Sequence, residues 1–190
     1  NPYRGERRPG TVGQPLPGVV VRVVTETGAE AAAGEPGELW VRGPALFREY
    51  CCQPEATAAA FSDGYFRTGD VVELRDGSYR MCGRASVDIL KSGGYKISAL
   101  EVEQVLCEHR AVSEVAVIGV PDPEWGEVVT ACVVCHPGTT VTLPELRDWC
   151  QDHLAAYKTP RRLELFRSLP RNAMGKVAKP ELIRQLTGAR

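Results

Sequence analysis

A glycine followed by an aspartate at the mouth of a strand can aim a carboxylate at paired hydroxyls, and Tyr65-Phe66-Arg67-Thr68-Gly69-Asp70 has that form. The chemistry would be recognition of a diol such as a ribose; the plain alternative is a turn, where Gly-Asp is common. Gly83-Arg84-Ala85-Ser86-Val87-Asp88-Ile89-Leu90-Lys91-Ser92-Gly93-Gly94-Tyr95-Lys96-Ile97 joins a charged, small-residue segment to a Gly-Gly loop. Paired glycines let backbone approach a ligand or bend freely; the plain alternative is a linker followed by a β-turn. Pro121-Asp122-Pro123-Glu124-Trp125-Gly126-Glu127 is a stiff loop whose Trp either covers a cofactor or packs as core. Pro170-Arg171-Asn172-Ala173-Met174-Gly175-Lys176 puts a lysine after a glycine near the chain's end. Such an ammonium can meet charge developing on phosphate and carboxylate oxygens, or be one more solvated surface charge.

Seven cysteines, at Cys51, Cys52, Cys82, Cys107, Cys132, Cys135 and Cys150, are an odd number in a chain of 190 residues. A disulfide-built scaffold is commonly shorter and evenly paired, so the thiols are expected to be reduced, in an intracellular compartment. Cys132 and Cys135 have the spacing of a metal or redox pair, but they lie in Val128–Cys135, an apolar run that reads as a strand. Side chains three apart on a strand point to opposite faces and cannot share one ion. No second pair has ligand spacing, and no metal site is expected within these residues.

The elements that must position these residues can be read from local pattern. Val19–Val24 is a β-branched run, Glu38–Arg42 alternates, and Glu55–Phe61 after Pro54 reads as a short helix. Val71–Leu74 and Ser78–Cys82 flank Arg75-Asp76-Gly77, a hairpin signal because Asp-Gly suits a turn with positive φ. Ser98-Ala99-Leu100-Glu101 and Thr142-Leu143-Pro144-Glu145 are capping boxes, the first followed by Val102, Val105 and Leu106 at helical spacing, the second by a helix to about Leu154. Val115–Val120, Val128–Cys135 and Arg162–Phe166 read as strands, with Pro121-Asp122-Pro123 as a break, and Lys179–Leu186 as a last helix. The expected class is α+β: a β-rich piece over residues 1–84, then a small two-layer α/β unit over 85–190 that could fold independently.

Hydrophobic residues are 43% and charged residues 25%, the balance of an ordinary globular protein. No run approaches the ~18 apolar residues of a membrane helix, so no membrane span is expected. The net charge of −1 conceals a division: residues 158–190 hold nine Lys or Arg against two Glu, +7, leaving −8 for the rest. A basic tail suits an anionic partner, nucleotide or CoA phosphates or nucleic acid, although most of these charges read as solvated surface. Nucleic acid is disfavoured, because no stacking aromatics are interleaved among the basic residues.

Taken in order, these stretches resemble the C-terminal part of the adenylate-forming acyl-CoA synthetases. The resemblance runs through Gly37-Glu38-Leu39-Trp40-Val41-Arg42-Gly43-Pro44, Thr68-Gly69-Asp70, Gly83-Arg84 with Asp88, Lys91 and Gly94, and Pro170-Arg171-Asn172 with Gly175-Lys176, and covers essentially the whole chain. Within the family it most resembles the mitochondrial malonyl-CoA synthetase subgroup, through Phe47-Arg48-Glu49-Tyr50, Ser86 to Lys96, Val115–Pro121 and Pro170–Lys176. The mitochondrial matrix is the compartment that subgroup implies, the cytoplasm otherwise.

Members of this family activate a carboxylic acid with ATP to acyl-AMP and pyrophosphate, then pass the acyl group to the thiol of CoA. The resemblance implies that Asp70 holds the ribose hydroxyls of ATP, assisted by Arg84, and that Lys176 contacts carboxylate and phosphate in the adenylation state. It implies that Ser86 is the hinge about which a mobile C-terminal domain swings; Asp or Lys is frequent there, so Ser departs mildly. Gly94, with Gly93 beside it, would line the pantetheine tunnel of the thioester-forming state. Residues 1–84 would be the incomplete β-rich end of the large adenylating domain. The family's Ser/Thr/Gly-rich phosphate loop and its aromatic-Gly-x-Thr-Glu motif, which helps to hold Mg2+, do not occur in this sequence. The acid pocket is expected in the same N-terminal portion. These residues alone are therefore expected to be inactive, half of an active site awaiting its N-terminal domain. The alternative is a non-catalytic module that binds nucleotide or CoA, or caps a partner.

Overall fold

The computed structural model describes residues 7–188. The chain divides into two compact units, Asn1–Ala85 and Ser86–Arg190. The first contains β1 (Thr11–Gly13), β2 (Val20–Val24), β3 (Gly37–Arg42), α1 (Pro54–Ala60), β4 (Phe61–Ser62), β5 (Tyr65–Arg75) and β6 (Ser78–Arg84). They form one antiparallel sheet in the order β1-β6-β5-β3-β2, with β4 also on β5. Two hairpins turn on Asp63-Gly64 and Asp76-Gly77, all four residues at positive φ. Such turns carry the right-handed twist that their strands need. Strand β5 runs from Tyr65, six residues earlier than the sequence pattern suggests, because Gly69 bulges the strand without ending it. The buried apolar residues of this unit are Val23, Val24, Tyr65 and Val72. Beside them Phe47 packs its ring 4.8 Å from Tyr50 and 5.1 Å from Phe66.

The second unit has β7 (Ile89–Ser92), β8 (Tyr95–Ser98), α2 (Ala99–Cys107), β9 (Val112–Asp122), β10 (Gly126–Cys135), α3 (Leu143–Gln151), a 3-10 turn (Ala156–Lys158), β11 (Arg162–Leu165) and α4 (Lys179–Thr187). Strand β10 is its spine, antiparallel to β9 along its whole length, parallel to β11, and joined at Gly126 to Ser92 of β7. Alternation along the strands sorts the core. Val117, Val129, Ala131 and Val133 face Val102, Leu106, Leu146 and Cys150 of α2 and α3. Ala116, Ile118 and Cys132 face Leu182 of α4 and Leu169. The expected α/β unit is present, and α4 covers the sheet's other face. Strand β9 continues through Pro121, where a break was expected. It is an edge strand, and a proline whose missing N–H points off an edge costs no ladder bond.

The helix starts follow from their caps. Thr142 Oγ1 accepts from the Glu145 N–H while the Glu145 carboxylate accepts from the Thr142 N–H at 2.8 Å, a complete capping box. At α2 the Ser98 hydroxyl accepts from the Glu101 N–H at 3.2 Å, and the Glu101 carboxylate grips the Lys158 ammonium at 2.7 Å. The chain is a mixed α+β fold of antiparallel sheets with few helices. No helix among the described residues is long and apolar enough to cross a membrane.

Candidate functional site

Asp70 owes its position to an irregularity. Glu38 of β3 pairs with Val71 of β5 and Trp40 with Arg67, so Leu39 alone opposes Thr68, Gly69 and Asp70. Gly69 takes φ +72° to make the bulge. Three hydrogen bonds lock it: the Thr68 hydroxyl donates to the Leu39 carbonyl at 2.7 Å, the Gly69 N–H to Glu38 Oε1 at 3.1 Å, and the Asp70 N–H to Thr68 Oγ1 at 3.0 Å. Glu38 is itself held by Arg67 at 3.1 Å and by the Trp40 indole at 3.1 Å. Arg84 is the register partner of Asp70 on β6, and its Nε lies 3.0 Å from Asp70 Oδ1. Such a half-exposed pair contributes at most ~1 kcal/mol to stability. What it does is orient a carboxylate beside a guanidinium, on a strand whose backbone cannot drift. Two acceptor oxygens and a neighbouring donor fork suit a diol.

In the second unit Ser86 is exposed in the turn before β7. Gly93 and Gly94, at φ +57° and +81°, are the two central residues of the β7–β8 hairpin, between paired Ser92 and Tyr95. The turn is pinned from below. The Gly93 N–H donates to the Trp125 carbonyl at 2.9 Å, and the Lys91 N–H to Glu127 Oε2 at 2.6 Å. A Cβ on Gly93 would stand 3.1 Å from the Trp125 ring, whereas one on Gly94 would meet no atom within 4 Å. Gly94 thus presents bare backbone to open space. The Trp125 ring carries the Arg161 guanidinium at 3.6 Å, and Tyr95 stacks on Tyr157 at 4.3 Å. Trp125 therefore neither sinks into the core nor stands free; it is the floor of the Gly-Gly turn.

Lys176 sits on a closed loop between β11 and α4. The Ala178 N–H donates to the Pro170 carbonyl at 2.8 Å, and Arg171 bridges to Val177. Asn172 fills the interior: its N–H donates to the Lys176 carbonyl at 2.8 Å, and its Oδ1 accepts from the N–H groups of Met174 and Lys176, both at 3.0 Å. Lys176 is exposed, and no carboxylate among the described residues pairs with its ammonium. Of the nine basic residues in 158–190, Lys158, Arg162, Arg171, Lys179 and Arg184 are in ion pairs. Among the eight described residues of that set five are exposed and only Lys179 is buried, so most of the tail is solvated surface as the sequence suggests, and Lys176 is an exposed member without an ion pair.

Residues 1–51 match the family model of the AMP-binding enzyme, and residues 101–176 that of the AMP-binding enzyme C-terminal domain. The chain belongs to the AMP-binding enzyme family. A mitochondrial malonate–CoA ligase of Bos taurus is 49% identical over 207 residues, across 98% of this chain and 35% of its own length. ATP-bound MatB from Rhodopseudomonas palustris superposes with a TM-score of 0.88 at 38% identity, across 100% of this chain and 38% of that one. The o-succinylbenzoate CoA synthetase of Bacillus subtilis, in complex with its acyl-adenylate intermediate, gives a TM-score of 0.84 at 36% identity, across 91% and 35%. The chain spans about a third of the length of the curated relatives it matches.

One cluster in the AMP-binding enzyme chain escapes local reading. The Lys179 ammonium lies 2.5 Å from Asp88 Oδ1 and 2.8 Å from Glu103 Oε1. Glu103 Oε1 also accepts from the Val117 N–H at 2.7 Å. Burial pushes the Glu103 carboxyl above its ordinary range, against the opposing pull of Lys179. Asp88 and Lys179 stand 91 residues apart, so no spacing announces them. Cys132 and Cys135 do fall on opposite faces, Cys132 against α4 and Cys135 against the α2–α3 side. Burial raises the Cys132 thiol to about 12, which leaves it a packing residue.

Proposed function

We propose that this chain is the C-terminal part of an ATP-dependent acid–CoA ligase that forms an acyl-adenylate and then an acyl-CoA, with malonate as the acid. The observation that carries the reading is the lone ammonium of Lys176 on a locked loop, in a chain that also builds the buttressed Asp70–Arg84 pair. In the first half-reaction the acid's carboxylate attacks the α-phosphorus and pyrophosphate leaves. Asp70 accepts hydrogen bonds from the ribose hydroxyls and Arg84 steadies it. Lys176 places its positive charge against the carboxylate and phosphate oxygens, where charge is greatest in the transition state. In the second, the thiol of CoA attacks the acyl carbon and AMP leaves, with Gly93 and Gly94 offering a backbone wall past which the pantetheine arm reaches. Residues 85–190 form the mobile domain, and Ser86 is the hinge that exchanges Lys176 for the Gly-Gly turn.

The malonate assignment rests on the kinship with the bovine malonate–CoA ligase, as does a mitochondrial location. Magnesium would accompany ATP. Among the described residues no group of three or more His, Cys, Asp or Glu is placed to hold a metal ion. We also propose that these residues alone lack the phosphate-binding loop and do not adenylate. Acid-dependent ATP–pyrophosphate exchange tests the reading in the natural full-length polypeptide that contains them. Lys176→Ala should lower exchange about 100-fold or more; undiminished exchange would remove Lys176 from the chemistry. Calorimetry of residues 1–190 with ATP and with CoA tests the alternative of a binding or capping module, which needs heat with one of them and no exchange.

A further inference from the structure

Lys179 is buried, at 9% exposure, and is the first residue of α4. A helix N-terminus carries partial positive charge and disfavours a cation, and desolvating an ammonium is costly. Ala178 caps α4 with no side-chain hydrogen bond. With Asp88 and Glu103 neutralised as well, a methionine of similar length would serve the helix at least as well, since replacing a whole buried ion cluster by uncharged groups is often neutral or stabilising. Stability of α4 therefore does not account for this lysine.

Its contacts point elsewhere. The ammonium joins three parts of the second unit. Asp88 lies two residues beyond Ser86, and its carbonyl accepts from the Ala99 N–H at 2.7 Å at the start of α2. Glu103 lies on α2 and is bonded to β9 through Val117. Lys179 follows directly on Ala178, whose N–H closes the Lys176 loop on Pro170. The loop is rigid within itself through Asn172, so its direction is decided at its base. We propose that Lys179 is a positioning residue: clamped between Asp88 and Glu103, it fixes the base of the Lys176 loop to the segment that follows Ser86. Movement of that segment is then passed to Lys176 with no play. The inference rests on the adenylation role proposed above for Lys176.

The test compares two half-reactions in the natural full-length polypeptide: acid-dependent ATP–pyrophosphate exchange, and thioester formation from supplied malonyl-adenylate and CoA. The neutral triple variant Asp88→Asn, Glu103→Gln, Lys179→Met removes the clamp while sparing the fold an unpaired buried charge, and Gln keeps an acceptor for Val117. It should lose about 10–100-fold in exchange while thioester formation stays within about threefold, since a small misplacement of a catalytic group costs that much. Asp88→Asn alone should shift exchange in the same direction by less, and decides the matter should the triple variant not fold. Equal losses in both half-reactions would mean that the cluster only holds the fold, and overturn the inference. Exchange lost in Lys176→Ala but unchanged in the clamp variants overturns the inference alone; exchange unchanged in Lys176→Ala ends the underlying reading and the inference together.

Discussion

Asp70 shows how little a residue's type says without its setting. Its carboxylate has a fixed direction because a three-against-one bulge holds its backbone and Arg84 flanks it at 3.0 Å. Asp70→Ala should raise the KM for ATP about 10–100-fold with a smaller change in kcat, because a charge-assisted hydrogen bond to the substrate is worth ~1.5–3 kcal/mol and binds both states alike. Steady-state kinetics at varied ATP checks this; an unchanged KM would place the ribose elsewhere. Asp70, Arg84, Gly93, Gly94 and Lys176 are candidates taken from motif order, and the structure gives each a local frame. The contacts that hold Glu38, Asp88 and Lys179 were not legible, although Glu38 and Asp88 lie within the motif stretches, since Arg67 is 29 residues from Glu38 and Lys179 is 91 from Asp88. Asp63-Gly64 carries the same turn signal as Asp76-Gly77, but the two-residue strand before it is too short to show periodicity.

Secondary elements were clearest where the local signals agree. Thr142 and Glu145 announced α3 because both halves of the box act within four residues. The Thr142 hydroxyl, then its N–H, holds the Glu145 carboxyl below its ordinary 4.5. A carboxyl depressed on folding stabilises fully above that value and stops doing so as pH falls through the folded one. Thermal melts below pH 4.5 should therefore be less pH-dependent in Glu145→Gln than in the parent; identical slopes would contradict the bond. Sheet edges and bulges were less legible, because they depend on which strand lies alongside. Gly119 is such a case. A Cβ there would stand 2.7 Å from the Glu127 carboxylate, which supports the Lys91 N–H under the Gly-Gly turn. Gly119→Ala should cost about 1–3 kcal/mol in denaturant unfolding; no loss would show that Glu127 moves aside freely.

For the whole molecule, the division into two units near Ala85 matters because candidate residues fall on both sides of it. The first holds the Asp70–Arg84 pair on a sheet with a small core. The second encloses two apolar clusters about β10 and displays Lys176 and the Gly-Gly turn on separate loops. Composition indicated an ordinary globular chain but not that division; the change from hairpins to capped helices after Gly83-Arg84 did. The central claim, one site served in turn by an ammonium and by bare backbone, is tested most directly by a crossed measurement of both half-reactions. Lys176→Ala should lose pyrophosphate exchange by about 100-fold and retain thioester formation from supplied adenylate, while Gly94→Leu should do the reverse. If each variant lost both half-reactions in the same proportion, the account would be contradicted.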